Sequence, residues 1–314
     1  MGARYLPAMT APTPTSPGLL NWFLVNLLGI VWGTSFLSIG IGLETLPPMT
    51  LAASRVLIAA VALLVMLPLF GASLRDISGT RAPIYAVLAG LVGFALPFVL
   101  LGWGQQFVPS AVAGVAMGTV PLLLVPLVYV FSPEEGIGPR RIAGLVLGFI
   151  GLVLIVGPGL LDGDGEGWAL GALACMGAAL AYAVASIITR RSPATQPILF
   201  AAISMTTAAL VLVPMALLVD GLPRDASTRS LTAALYLGLF PTAMAAALRV
   251  RIIKTAGSLF MSIAGYLVPV WSVIFGIGIM NEDLPPQLFA ALALILAGIA
   301  VAQSRQIGAA LRRA

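Results

Sequence analysis

Arg55 stands alone as a basic residue inside a long apolar run, and Trp32-Gly33-Thr34-Ser35 interrupts another run with an indole N–H and two hydroxyls. These groups suit binding rather than bond-making. Arg55 offers a fixed cation to a substrate carboxylate or to a cluster of carbonyls. It lies six residues from Met49, however, and the shorter route for its guanidinium is to snorkel to the interface at that end. Trp32 sits mid-run, away from the headgroup level where indoles normally settle, so its N–H needs a partner inside.

Pro97, Pro121, Pro241 and Pro269 also fall inside apolar runs. Each removes a backbone donor and crowds the carbonyl one turn back. They read either as ordinary packing kinks or as the lining and gates of a pathway, because freed carbonyls are tolerated at membrane depth only in protein or facing water. Tyr182 and Ser186 lie one helical turn apart, and Met117, Met205, Met244 and Tyr266 can join them around one cavity. Methionine suits a site that accepts several apolar shapes, although each Met taken alone is as readily a packing residue. Gln105 and Gln106 fall at the outer end of their run, for interfacial solvation or for gating an outer mouth.

Catalysis finds no footing. Histidine is absent and Cys175 is the one cysteine, so Ser–His nucleophiles, histidine metal sites and an intrachain disulfide are excluded. No Asp or Glu lies in an apolar core; Glu44, Glu134 and Glu282 fall at its ends, which argues against a dedicated proton-carrying carboxylate. Asp162-Gly-Asp164-Gly-Glu166 opens like a calcium loop, but Leu173 occupies the place of the bidentate glutamate that such a loop requires. No catalytic residue, metal or cofactor is assigned.

The elements that must position these residues follow from composition. Sixty per cent of the 314 residues are hydrophobic, 9% are charged, and the mean hydropathy is +1.07. So few charges cannot solvate so much apolar surface, and the bilayer is the matching solvent. At roughly 20 residues per spanning helix, ten spans can be drawn over 19–41, 49–70, 83–106, 110–131, 140–158, 167–189, 196–219, 231–251, 256–279 and 286–304. With the N-terminus inside, the cytoplasmic connections collect 13 of the 16 Lys and Arg residues, Arg140, Arg141, Arg190, Arg191, Arg249, Arg251 and Lys254 among them, while Arg224 and Arg229 lie outside. The bias of basic residues towards the cytoplasm then predicts that both termini are inside. Residues 1–18 and 305–314 read as cytoplasmic tails, the first of them flexible, without a signal-peptide pattern.

Ala86 to Glu134 lies without gaps over Ala234 to Glu282 at an offset of 148 residues, matching Gly90 to Gly238, Ser110 to Ser258, Pro121 to Pro269 and Glu134 to Glu282. Five spans per half is odd, so the second copy enters the membrane upside down. The expected architecture is an all-α integral membrane protein of two inverted five-helix repeats, 19–160 and 166–304, with a binding site where the halves meet. Gly29/Gly33, Gly114/Gly118, Gly144/Gly148 and Gly167/Gly171 form GxxxG pairs, read as close helix packing.

WGTSFLSIGIGLETLPPMTLAASRVLIAA at 32–60 resembles the opening of an EamA domain. SAVAGVAMGTVPLLLVPL at 110–127 followed by Glu134 resembles its fourth span, and GLVLGFIGLVLIVGP at 144–158 its fifth. GSLFMSIAGYLVPVWSVIFGIGIMNEDL at 257–284 repeats the fourth-span pattern, so the resemblance to the drug/metabolite transporter superfamily covers residues 20–304. The sequence departs from it at Tyr182-Ala183, where the first half has Trp32-Gly33, so an asymmetric site is expected.

The resemblance implies a ten-helix secondary transporter of the bacterial inner membrane that exports amino acids and related small amphipathic metabolites. An uptake permease, a drug- or lipid-type permease and a channel-like protein are the alternatives. The implied partners are a small-molecule substrate and lipid, without nucleic acid, and the expected state is a monomer.

Overall fold

The computed structural model describes residues 18–76, 81–131, 138–161, 166–193, 195–256, 258–261, 263–302 and 304. Glu134, the Asp162–Asp164 loop and both tails lie outside the described residues. Within them the chain is helical and contains no strand. In order come α1 (Leu19–Gly42), α2 (Pro48–Met66), α3 (Arg81–Gly90), α4 (Leu96–Gly104), α5 (Ser110–Met117), α6 (Val120–Phe131) and α7 (Pro139–Leu161). Then follow α8 (Glu166–Arg191), α9 (Pro197–Val219), α10 (Thr228–Leu237), α11 (Ala245–Ala256), α12 (Ser258–Met261), α13 (Ala264–Gly278) and α14 (Pro286–Ala302).

Seven helical segments among the described residues are long and apolar enough to cross a membrane, and Ile142–Ile155, Ala264–Gly278 and Pro286–Ala302 are shorter apolar helices. Two of the long segments contain a π turn. A π turn at Leu91–Ala95 joins α3 to α4, and another at Gly238–Met244 joins α10 to α11. They occupy matching places at the 148-residue offset. A π turn inserts a residue into the i→i−4 ladder and recurs at functional sites.

Local chemistry explains the boundaries. Pro48 opens α2 at a position whose N–H would be unbonded anyway. Ser227 caps α10 by accepting from the Ser230 N–H at 3.1 Å. Pro121 stands at the second residue of α6, after the chain breaks α-helix at Gly118–Thr119.

Three pairs of corresponding helices, α2 with α9, α5 with α13 and α7 with α14, meet antiparallel. At the start of α2, Thr50 binds Asp220, just past the end of α9; Gln196, just before α9, reaches the Gly71 carbonyl beyond the end of α2. Ser110 at the start of α5 is held by Glu282, which follows α13. Gly144 of α7 backs onto Gly298 of α14, whereas Gly151, farther along α7, meets Ala291 and Ile295. The other contacts come in matched sets: α1 packs on α13, α10 and α11, and α8 packs on α6, α3 and α4.

The GxxxG faces serve close approach. A methyl on Gly29 would fall 2.6 Å from the Leu267 Cβ, and one on Gly33 2.5 Å from the Trp271 Cβ, so α1 and α13 touch nearly backbone to backbone. Gly114 and Gly118 face Ser272 and Pro269, Gly144 and Gly148 face Gly298 and Leu122, and Gly171 faces Gly104. The outside is as apolar as the inside. On α2, Leu57, Val61 and Val65 form an outward stripe while Val56, Ala59 and Leu63 are buried. Such a surface would be intolerable in water but suits lipid.

Candidate functional site

The second π turn is built around a proline. Pro241 has no N–H to return to the Leu237 carbonyl one turn back. The Thr242 hydroxyl takes that carbonyl at 2.8 Å, supplying the donor the proline removes. The Pro241 carbonyl is claimed from another helix: the Trp32 indole N–H of α1 donates to it at 3.1 Å. The internal partner that Trp32 requires is therefore backbone opened by a mid-span proline.

Arg55 comes to the same turn. Its Nε donates to the Thr242 Oγ1 at 3.0 Å, and its guanidinium carbon lies 3.8 Å from the centre of the Phe98 ring. The residue is only 6% exposed, so the guanidinium turns into the protein instead of snorkelling outward. The reason is geometric. Arg55 lies on the face of α2 that packs against α9, α4 and the second π turn, with Ala52, Val56 and Ala59. Phe98 follows Pro97 in the first turn of α4, so the first π turn delivers the ring beneath the cation.

Tyr182 of α8 is half-buried and adjoins the apolar groups of both α2–α9 and α5–α13. Thr34, two residues after Trp32, gives its hydrogen to the Val31 carbonyl at 2.8 Å. It shares a 2.6 Å hydrogen bond with the Tyr236 hydroxyl, in which Tyr236 is then the donor. Tyr236 stacks on Phe240 with ring centres 5.2 Å apart. Trp32 and Arg55 of the first half thus meet one turn of the second, Pro241–Thr242, with Phe98 against Arg55 and Thr34 bonded to Tyr236 in the preceding α10.

The remaining candidates go elsewhere. Ser35 is buried on α1. Ser186 is exposed, and its hydroxyl bonds back to the Tyr182 carbonyl at 2.8 Å. Met205 is fully buried against the α2–α9 core, while Met117 and Tyr266, like Trp32 and Tyr182, border the core around α5 and α13. Met244 is the half-buried last residue of the second π turn. Pro121 and Pro269 belong to the α5–α6 break and α13, where Gly118 backs onto Pro269. Gln105 lies just past α4, and both its amide atoms are buried without a hydrogen-bond partner. Among the described residues no three His, Cys, Asp or Glu side chains form a group able to hold a metal.

Thr242, Phe98 and Tyr236 are the site residues that sequence reasoning missed. One signal for Thr242 was present: a hydroxyl residue directly after a mid-span proline can bond the carbonyl that the proline orphans. Phe98 and Tyr236 carry none, being ordinary aromatics in apolar runs.

Comparison with known proteins places the chain in a family. The EamA-like transporter family matches residues 20–157 and again 169–303, and the chain belongs to that family. An uncharacterized inner membrane transporter of Escherichia coli, YedA, is 29% identical over 273 residues, 86% of each chain. A probable terminal-alkyne amino-acid exporter of Streptantibioticus cattleyicolor is 27% identical over 294 residues, covering 91% of this chain and 94% of its own. A solved crystal structure shares the fold at a TM-score of 0.64 and 23% identity, covering 94% of this chain and 100% of that one. The protein is a multi-pass membrane protein with a transporter role.

Proposed function

We propose that this protein is an ATP-independent carrier of ten membrane helices in two inverted halves, both termini cytoplasmic, that exports amino acids and related amphipathic metabolites by alternating access. The carrying observation is the meeting of Trp32 and Arg55 at the Pro241–Thr242 turn, with the Phe98 ring against Arg55. A buried cation, a hydroxyl and aromatic faces on interrupted helices suit reversible binding of a small polar-and-apolar solute.

Three further observations support the reading. The antiparallel meeting of α2 with α9 and of α7 with α14 is what inverted repeats produce. Paired π turns in corresponding segments are natural flexing points for rocking motion. The amino-acid exporter from Streptantibioticus cattleyicolor favours the substrate class and direction. For orientation, Asp220, Glu282 and the Glu44–Arg229 pair share one end of the bundle, while Arg75, Arg140, Arg190, Arg191, Arg249 and Arg251 fall at the other, as expected for an interior face.

The test is counterflow in liposomes. Purified protein should exchange a labelled amino acid against an internal pool without ATP, and the flux should saturate. A panel of twenty amino acids without counterflow would overturn the substrate class, and unsaturable flux would turn the carrier into a pore.

A further inference from the structure

Arg55 is a buried cation without an anion. Its Nε is engaged by Thr242 and one face by Phe98, yet its two terminal nitrogens have no hydrogen-bond partner and no carboxylate within ion-pair distance among the described residues. Four of the acids among the described residues are occupied elsewhere. Glu44 pairs with Arg229 at 3.2 Å, Asp220 holds Thr50 at 2.7 Å, Glu282 holds the Ser110 and Ala111 N–H groups at 2.7 and 3.1 Å, and Asp76 caps the Ser73 N–H at 2.7 Å. A neutral hydroxyl and a ring do not offset the desolvation of a charge removed from water. Such a charge is the natural seat of a ligand anion.

The surroundings define that anion further. Arg55 is the sole basic side chain in the core of a span, which matches one negative charge and not a phosphate dianion. Phe98 lies against it and Trp32 bonds the adjoining Pro241, so the groups around it are large and aromatic, and among the described residues no Asp or Glu pairs with it to receive an ammonium. Resting on the transport function proposed above, we infer that Arg55 binds the carboxylate of an apolar monocarboxylate, with its hydrocarbon part laid toward the aromatic side chains. Amino acids are carried as members of that class: the carboxylate is required and the α-amine is not.

The test compares leucine, leucinamide and 4-methylpentanoate, which share a hydrocarbon part and differ in the carboxylate and the amine. Thermal unfolding of the purified protein in detergent is followed with each at equal concentration, alongside competition against labelled-leucine counterflow. Leucine and 4-methylpentanoate should both raise the unfolding temperature and compete, and leucinamide should do neither. Arg55→Gln should abolish the ligand-induced shift and cut leucine counterflow by about tenfold or more, the loss expected for a charge-assisted contact.

Without ligand, Arg55→Gln should unfold no lower than the parent protein, because it removes an uncompensated buried charge. An arginine that merely knits α2 to the π turn would instead leave a destabilised variant. Arg55→Lys, which keeps the charge but loses the fork, should retain part of the shift. Stabilisation by leucinamide equal to that by leucine, or leucine counterflow intact in Arg55→Gln, would overturn the assignment and leave the carrier function standing. Failure of all three compounds to bind or exchange, with other solutes still in counterflow, would overturn it too. Absence of counterflow with every solute would instead remove the carrier function on which it rests.

Discussion

The Trp32 indole N–H and the Pro241 carbonyl meet at 3.1 Å across 209 residues of sequence. The bond ties the middle of α1 to the π turn in the second half of the chain. Trp32→Phe keeps the ring and deletes the donor. A hydrogen bond of this kind contributes about 1 kcal/mol net, so roughly a fivefold fall in the counterflow rate is expected with unchanged protein yield. A rate equal to the parent's would show that the bond is incidental.

Pro241→Ala returns a backbone donor to the Leu237 carbonyl, which Thr242 now occupies. The segment should relax towards regular α-helix, releasing the Thr242 hydroxyl and moving the Trp32 acceptor. We expect a more stable but slower protein: hydrogen exchange across 237–245 should slow and maximal flux should drop. Faster exchange there would contradict the account of the turn.

Glu282 accepts from the Ser110 and Ala111 N–H groups, and Asp220 from the Thr50 N–H and hydroxyl, so each caps a helix of the other half. Loss of such a cap costs about 1 kcal/mol, which for a chain of this size is a fall of a few degrees in the unfolding temperature. Glu282→Ala and Asp220→Ala should each show it in detergent. Because the caps join the halves at one end, residues beside them should also become more accessible to a membrane-impermeant thiol reagent when replaced by cysteine. Unfolding curves that superimpose on the parent's would count against both caps.

Gly33 lies against Trp271 so closely that any side chain must displace α13. Overpacking of this kind costs about 1–3 kcal/mol. Gly33→Ala should lower stability within that range, and Gly33→Leu should prevent accumulation of folded protein. Folded yields judged by size-exclusion chromatography decide the matter, and normal Gly33→Leu would disprove the approach.

Cys175 is fully buried on α8, beside Gly104 of α4. A maleimide should leave it unmodified in intact membranes and label it after denaturation in detergent. Labelling of the native protein would mean that α4 and α8 separate far more readily than their packing suggests.

The membrane character, the repeat and the family were legible in the sequence because each rests on quantities that add along the chain: hydropathy over about twenty residues, the spacing of Pro121 and Pro269, and the order of short motifs. The tight glycine faces were legible for a related reason, since residues four apart share one side of a helix whatever it packs on. Trp32 was legible as a residue in need of a partner, because a mid-span indole N–H must find one.

The identity of that partner was not. Pro241 lies 209 residues away, and no local property of either residue points to the other. Arg55 shows the same limit from the opposite side: its distance along α2 from Met49 permits snorkelling, and only the packing of α2 against α9, α4 and the second π turn directs it inward. Ser186 shares a helix with Tyr182 at favourable spacing, yet it bonds its own backbone and faces out. Sequence alone determined that this is a duplicated membrane protein with scarce polar groups in costly places. Which of those groups meet was decided by tertiary structure, because a buried hydrogen bond depends on the arrangement of helices in three dimensions and not on separation along the chain.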